Sequence, residues 1–247
     1  AQGAFAHKSF QRLPSVMSTA PPPPPRHGPP LPRLSYFAGW GLAEQTRWML
    51  AATDTEWTQV ALQTKREFET LKAEGRLLFG QLPLLEIDGL QLVQSQAMLR
   101  YVGRRGGLTG KDAAEEALID MICEGVKDAR GPVVSFAFQP DQRQAAQEIT
   151  YRVARHLTCF EQAIPKVGDG IVSSGLSTAD VLIAELTHEL LLISPTILVR
   201  YPKVQALHDK VVALPSVKAY LESDKRYPLP AGRVGEIYRH NVNTVLG

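Results

Sequence analysis

Strand-like patterning in this chain is confined to residues 34–93, and beyond Gly110 the apolar residues recur at helical spacing to the end of the sequence. That segregation excludes an all-β sandwich and a βα alternation running the whole length. It leaves an α+β chain, with a small mixed unit followed by an all-α one. In the mixed unit, Leu34-Ser35-Tyr36-Phe37-Ala38 reads as a short strand ending at Gly39 and Gly41. Leu42, Trp48, Met49, Leu50 and Ala51 then mark a helix to about Thr53, and residues 57–62 alternate well enough for a second strand. Residues 82–87 and 90–93 flank Asp88-Gly89, a pair that supplies positive φ and so predicts a β-hairpin. Ser95 is placed to cap a helix over 96–104 that Gly106-Gly107 stops. The order is βαβ followed by ββα.

In the helical unit, Leu118, Ile119, Ile122 and Val126 mark one long helix, and Ile149, Val153, Leu157 and Phe160 mark another. Ser177-Thr178-Ala179-Asp180 resembles a capping box that opens a third, whose Val181, Leu182, Leu186 and Leu190 read as core. Shorter helices fit 202–213 and 215–223. A last amphipathic segment, 236–246, follows the break at Pro228-Leu229-Pro230.

Residues 1–33 differ from the rest. They carry a proline run over 21–25 and further prolines at 29, 30 and 32, and no acidic residue precedes Glu44. Such a segment cannot bury a core and is expected to be a disordered extension, with the proline run able to dock an SH3 or WW partner. The first methionine is Met17, so residues 1–16 read as upstream translation, a cloning remnant or part of a targeting peptide.

The 247 residues carry 27 Lys and Arg against 25 Asp and Glu, interspersed rather than gathered into a stripe, which gives no footprint for nucleic acid. No apolar run approaches the ~20 residues of a membrane span. Cys123 and Cys159, each in a helical pattern, read as buried thiols in a reducing compartment, and the expected location is cytoplasmic. The histidines at 7, 27, 156, 188, 208 and 240 have no ligand spacing, and no phosphate-loop or nucleophile-elbow motif occurs, so no metal is expected.

Three features of the mixed unit converge on a peptide-like ligand. Gln81-Leu82-Pro83 opens a strand with a residue that cannot donate to the ladder, which leaves neighbouring backbone groups free for an extended peptide. Gln94-Ser95 stands where a strand meets a helix N-terminus, a place that holds carboxylates. Tyr36 lies on the first strand beside a glycine-containing loop, within reach of a ligand's centre. Each feature alone is commonly structural; the set is informative.

Residues 34 to about 223 resemble the alpha-class cytosolic glutathione transferases. The resemblance is carried by Leu85-Glu86-Ile87-Asp88-Gly89 with Leu92-Val93-Gln94-Ser95, by Ala117-Leu118-Ile119-Asp120-Met121, and by Leu176-Ser177-Thr178-Ala179-Asp180. It implies a thioredoxin-like domain at 34–108, a helical domain at 109–247 whose C-terminal helix forms a lid, and a homodimer. By position, Tyr36 resembles the tyrosine that hydrogen-bonds the sulfur of glutathione, the co-substrate. Gln81, Leu82 and Pro83 match the residues that hold the cysteinyl backbone, and Gln94 and Ser95 those that bind the γ-glutamyl carboxylate. Lys72 stands at the place of a basic residue for the glycyl carboxylate. Asp128 and Arg155 resemble a pair contributed by the neighbouring subunit, and Phe79 an aromatic that inserts into it. The hydrophobic electrophile is expected beside Phe37, Trp40, Leu42, Val134, Phe138 and Ile237.

The chain departs from the pattern at Trp40 and Leu42, where the family has arginines, the second of them a thiolate-stabilising one. Gln96 likewise replaces an arginine of the dimer axis. Two functions follow: a transferase acting through a Tyr-stabilised thiolate, or a transferase-like protein that binds ligands or partners with weak or no catalysis.

Overall fold

A computed structural model describes residues 30–165 and 170–247. The proline-rich run and most of the extension lie outside the described residues. β1 (Arg33–Tyr36) begins one residue inside the stretch expected to be extension.

β1 runs parallel to β2 (Thr58–Ala61) and antiparallel to β3 (Leu84–Ile87), which pairs in turn with β4 (Leu90–Leu92), so the sheet order is β2-β1-β3-β4. Asp88 and Gly89 join β3 to β4 with φ of 51° and 80°, the conformation that the Asp-Gly pair predicts. After β1 the chain passes through a 3-10 turn (Gly41–Ala43) into α1 (Glu44–Ala52). α3 (Ser95–Arg105) packs beside α1. Ser95 is the first helical residue rather than the cap; Gln94 precedes it with φ of 69° and no side-chain capping bond.

The structure adds an element to the expected order. α2 (Lys65–Ala73) lies between β2 and β3 and packs against the last helix of the chain. It buries only Phe68 and Leu71, too thin an apolar stripe for periodicity to register. Its start is nevertheless fixed by a full capping box, in which Thr64 Oγ1 accepts from the Glu67 amide and Glu67 accepts from the Thr64 amide.

From residue 113 the described chain is helical: α4 (Ala113–Val134), α5 (Gln142–Ala163), α6 (Thr178–Ile193), α7 (Pro202–Val212), α8 (Pro215–Leu221) and α9 (Gly232–Leu246). α6 is the hub. It touches α1, α3, α4, α5 and α7, and Thr178–Thr187 is buried on every side, as befits a helix apolar nearly all round. The expected capping box opens it, with Asp180 Oδ2 accepting from the Ser177 amide at 2.7 Å and the Ser177 hydroxyl at 2.6 Å. Both cysteines are free. Cys123 is buried, and burial pushes its thiol up to about 12, whereas Cys159 is exposed, contrary to expectation, because it falls on the solvent face of α5. Among the described residues no helix is long and apolar enough to cross a membrane, and no cluster of three His, Cys, Asp or Glu could hold a metal.

Candidate functional site

Tyr36 ends β1 with its ring buried and its hydroxyl directed into the turn that starts α1. Oη accepts from the Leu42 amide at 3.0 Å. The Tyr238 hydroxyl of α9 converges on the same point, and burial, followed by this contact with Tyr36, raises the Tyr238 pKa. Gly41, at φ +49°, allows this convergence, because a Cβ there would overlap both hydroxyls. A Cβ at Gly39 would overlap the Tyr238 ring in the same way. Phe37 packs edge-on against Tyr36, with centroids 4.8 Å apart, and Phe138 edge-on against Tyr238, at 5.8 Å.

The loop carrying these glycines is held from beneath by two buried guanidiniums. Arg47 Nη1 donates to the carbonyls of Gly39 (3.0 Å) and Trp40 (3.3 Å) and to Glu44 (2.9 Å). Arg130 Nη1 reaches from α4 to the Gly41 carbonyl at 3.0 Å, while its other nitrogens meet Glu185 and Glu189 of α6. Burial works against the Glu44 carboxylate, but Arg47, Arg226 and the Tyr220 hydroxyl outweigh it and hold its pKa below the usual value. Glu189 has one oxygen without a partner, and burial raises its pKa well above the ordinary carboxylate value against the opposing pull of Arg130.

A polar shelf adjoins β3. The Leu82-Pro83 peptide is cis, and the exposed Gln81 accepts at Oε1 from Gln94 Nε2 at 3.2 Å. Gln94 and the half-buried Ser95 stand at the N-terminus of α3, so these residues, drawn from two separate stretches of sequence, share one face. Lys72 is exposed on α2 and paired with Glu69 at 3.1 Å.

The remaining expected residues are placed as follows. Trp40 is buried, with Nε1 donating to the Tyr227 carbonyl at 2.7 Å and the Arg226 guanidinium over its ring, so it is walled in rather than lining an open surface. The Leu42 and Ile237 side chains are exposed, and Val134 is half-buried at the end of α4. Asp128 and Arg155 come together on a surface cavity of about 700 Å³ between α4 and α5. Phe79 projects outward, 61% exposed, beside Leu78.

Sequence reasoning missed Tyr238, Asn241, Arg47 and Arg130. Asn241 Oδ1 accepts from the Ala38 amide at 2.8 Å and its Nδ2 donates to the Leu62 carbonyl at 2.8 Å, so one amide fastens α9 over the ends of β1 and β2. The arginines had a signal, a charge falling on the core-facing stripe of its helix; Tyr238 and Asn241 had none.

Family models described as the glutathione S-transferase N-terminal and C-terminal domains match residues 32–104 and 127–224. Glutathione S-transferase alpha M14 of Sus scrofa is 36% identical over 209 residues, which cover 82% of this chain and 94% of that one. Glutathione S-transferase alpha-3 of Rattus norvegicus is 36% identical over 206 residues, 81% and 93% of the two chains. Among solved structures, prostaglandin synthase D of Nilaparvata lugens superposes with a TM-score of 0.66 at 29% identity, covering 81% of this chain and all (100%) of its own. A monomeric glutathione S-transferase of the hookworm Necator americanus gives 0.70 at 30%, covering 80% and 98%.

Proposed function

The chain belongs to the glutathione S-transferase family, with glutathione as co-substrate, and from that membership we propose that it conjugates reduced glutathione to hydrophobic electrophiles through a thiolate stabilised by Tyr36. The observation that supports this reading most is the convergence at Tyr36 Oη, which accepts from the Leu42 amide and meets the Tyr238 hydroxyl; with Tyr238 donating as well, the Tyr36 proton is left for a third partner. The chemical demand is modest. A free thiol has a pKa of about 8.5, and lowering it by about two units requires roughly 2.7 kcal/mol of preference for the thiolate. A hydrogen bond to a charged acceptor supplies ~1.5–3 kcal/mol, and the N-terminal end of α1 adds ~0.3–1 kcal/mol.

Gln81, Leu82, Gln94 and Ser95 would hold the peptide of glutathione along the shelf, and Lys72 its glycyl carboxylate. Asp128 and Arg155 would act on the γ-glutamyl end of the neighbouring subunit's ligand in a homodimer. The electrophile would rest between Phe37, Phe138 and the exposed side of α9 around Ile237, with Leu42 and Val134 at the edge. Trp40, sealed beneath Arg226, shapes that wall from behind.

Leu42 favours a second reading, binding without useful turnover, since no cation stands at that position beside the sulfur. One experiment separates the two. Tyr36→Phe is expected to lower kcat roughly ten-fold or more while leaving glutathione affinity almost unchanged, because only the charged sulfur gains from the hydroxyl. An unaltered rate in a conjugation assay, or wild-type binding with no turnover, would sink the catalytic reading.

A further inference from the structure

The peptide that joins Gly41 to Leu42 meets a partner at each end. Its N–H, from Leu42, donates to Tyr36 Oη at 3.0 Å, and its carbonyl, from Gly41, accepts from Arg130 Nη1 at 3.0 Å. The peptide is trans, so these two groups point opposite ways. Tyr36 and Arg130 therefore act on one amide from its two sides.

That amide needs holding. Gly41, at φ +49°, is free to turn over the peptide that follows it, since no Cβ restricts its backbone. A turned peptide would take the Leu42 N–H away from the phenol. Arg130 is built to prevent this. It is buried, its Nε donates to both oxygens of Glu185 at 3.1 Å, and its Nη2 reaches Glu185 at 2.6 Å and Glu189 at 3.1 Å. α6 thus fixes the guanidinium and aims Nη1 at the Gly41 carbonyl. Burial works against the charge, but Glu185 and Glu189 outweigh it and hold the Arg130 pKa above its usual value. A cation on the carbonyl polarises the amide and strengthens its N–H as a donor. Arg47, the other guanidinium under the loop, takes the Gly39 and Trp40 carbonyls, neither of which belongs to this peptide.

We propose that Arg130 is a positioning residue for the transferase reaction: through the Gly41–Leu42 peptide it holds and strengthens the hydrogen bond on Tyr36 Oη. It supplies from α4 an electrostatic contribution that the uncharged Leu42 side chain does not make. This rests on the reading of Tyr36 as the group that stabilises the thiolate.

The direct variant is Arg130→Gln. In the full chain without glutathione, hydrogen exchange at the Leu42 amide should accelerate roughly ten-fold relative to the amides of α1. With glutathione, kcat/KM should fall roughly three- to ten-fold and its apparent pKa should rise by a few tenths, because the thiolate loses support, while KM for glutathione changes little. In a Tyr36→Phe background the same substitution should change the rate by less than about two-fold, since the phenol through which it acts is gone. Should Arg130→Gln unfold, Arg130→Met together with Glu185→Met decides in its place, because a buried ion pair exchanged whole for apolar groups of similar size is tolerated where half a pair is not. An unchanged Leu42 exchange rate, an unmoved apparent pKa, or an equal loss of rate with and without the Tyr36 hydroxyl would each overturn the proposal and leave Arg130 a strut between α4 and α6. A parental rate in Tyr36→Phe alone would overturn the thiolate reading and this proposal with it, whereas an unresponsive Leu42 amide overturns this proposal only.

Discussion

A hydrogen bond accepted at Tyr36 Oη makes its own proton easier to give away, and on the proposed mechanism Tyr238, 202 positions further along the chain, donates one beside the Leu42 amide. On the proposed mechanism, Tyr238→Phe removes one neutral hydrogen bond, worth about 0.5–1.5 kcal/mol, so kcat/KM should fall roughly two- to ten-fold. Its apparent pKa should rise by a few tenths, read from the pH–rate profile. A faster variant would mean that Tyr238 obstructs the sulfur site instead of assisting it. Leu42 offers the complementary test. Its side chain is 44% exposed while its amide is fixed on Tyr36, so an arginine there can be solvated without disturbing the turn. Leu42→Arg should favour the thiolate by up to about 1 kcal/mol after solvent screening, and the pH–rate profile should move acid by several tenths. No movement in a folded variant would show that position 42 does not face the sulfur.

α6 concentrates the buried charge of the fold: Asp180, Glu185 and Glu189 sit on it among apolar neighbours, with His188 between Trp48 and His208. Burial, followed by the positive charge of Arg226 and by His208, lowers the His188 pKa to about 4 against an opposing pull from Glu44. Between that value and the unfolded one near 6.5, the unfolded chain binds more protons, so stability rises with pH across this window and is lost as pH falls through it. The loss should be on the order of 1–2 kcal/mol once partial exposure is allowed for. Tm measured from pH 7 to pH 4 should decline less steeply in His188→Phe than in the parent, and equal slopes would remove His188 as the cause. The start of α6 was legible because a capping box is a local motif. α2 was equally well capped, but with only Phe68 and Leu71 on its apolar face, nothing in the spacing of its residues drew attention to it. The shelf of Gln81, Leu82, Gln94 and Ser95 was legible through family resemblance. The contacts of Tyr238 and Asn241 were not, because no local pattern tells which strand end a distant helix will meet.

At the scale of the whole molecule, Phe79 and the Asp128–Arg155 face are outward features that a single copy leaves unused. If a homodimer buries them, Phe79→Ser should shift the chain toward monomer in sedimentation velocity. It should also raise the KM for glutathione several-fold while changing kcat less, since the γ-glutamyl contacts would come from the other subunit. A monomeric parent with an unchanged KM in the variant would show that each chain binds glutathione unaided. Within one chain, the site is closed by Asn241, which spans 203 positions to reach the Ala38 amide. A ribosome delivers Tyr36 long before Asn241. On the proposed mechanism, a chain that has not yet received α9 lacks the Asn241 bonds to Ala38 and Leu62 and the Tyr238 contact beside Gly41, and so cannot present a finished thiol site.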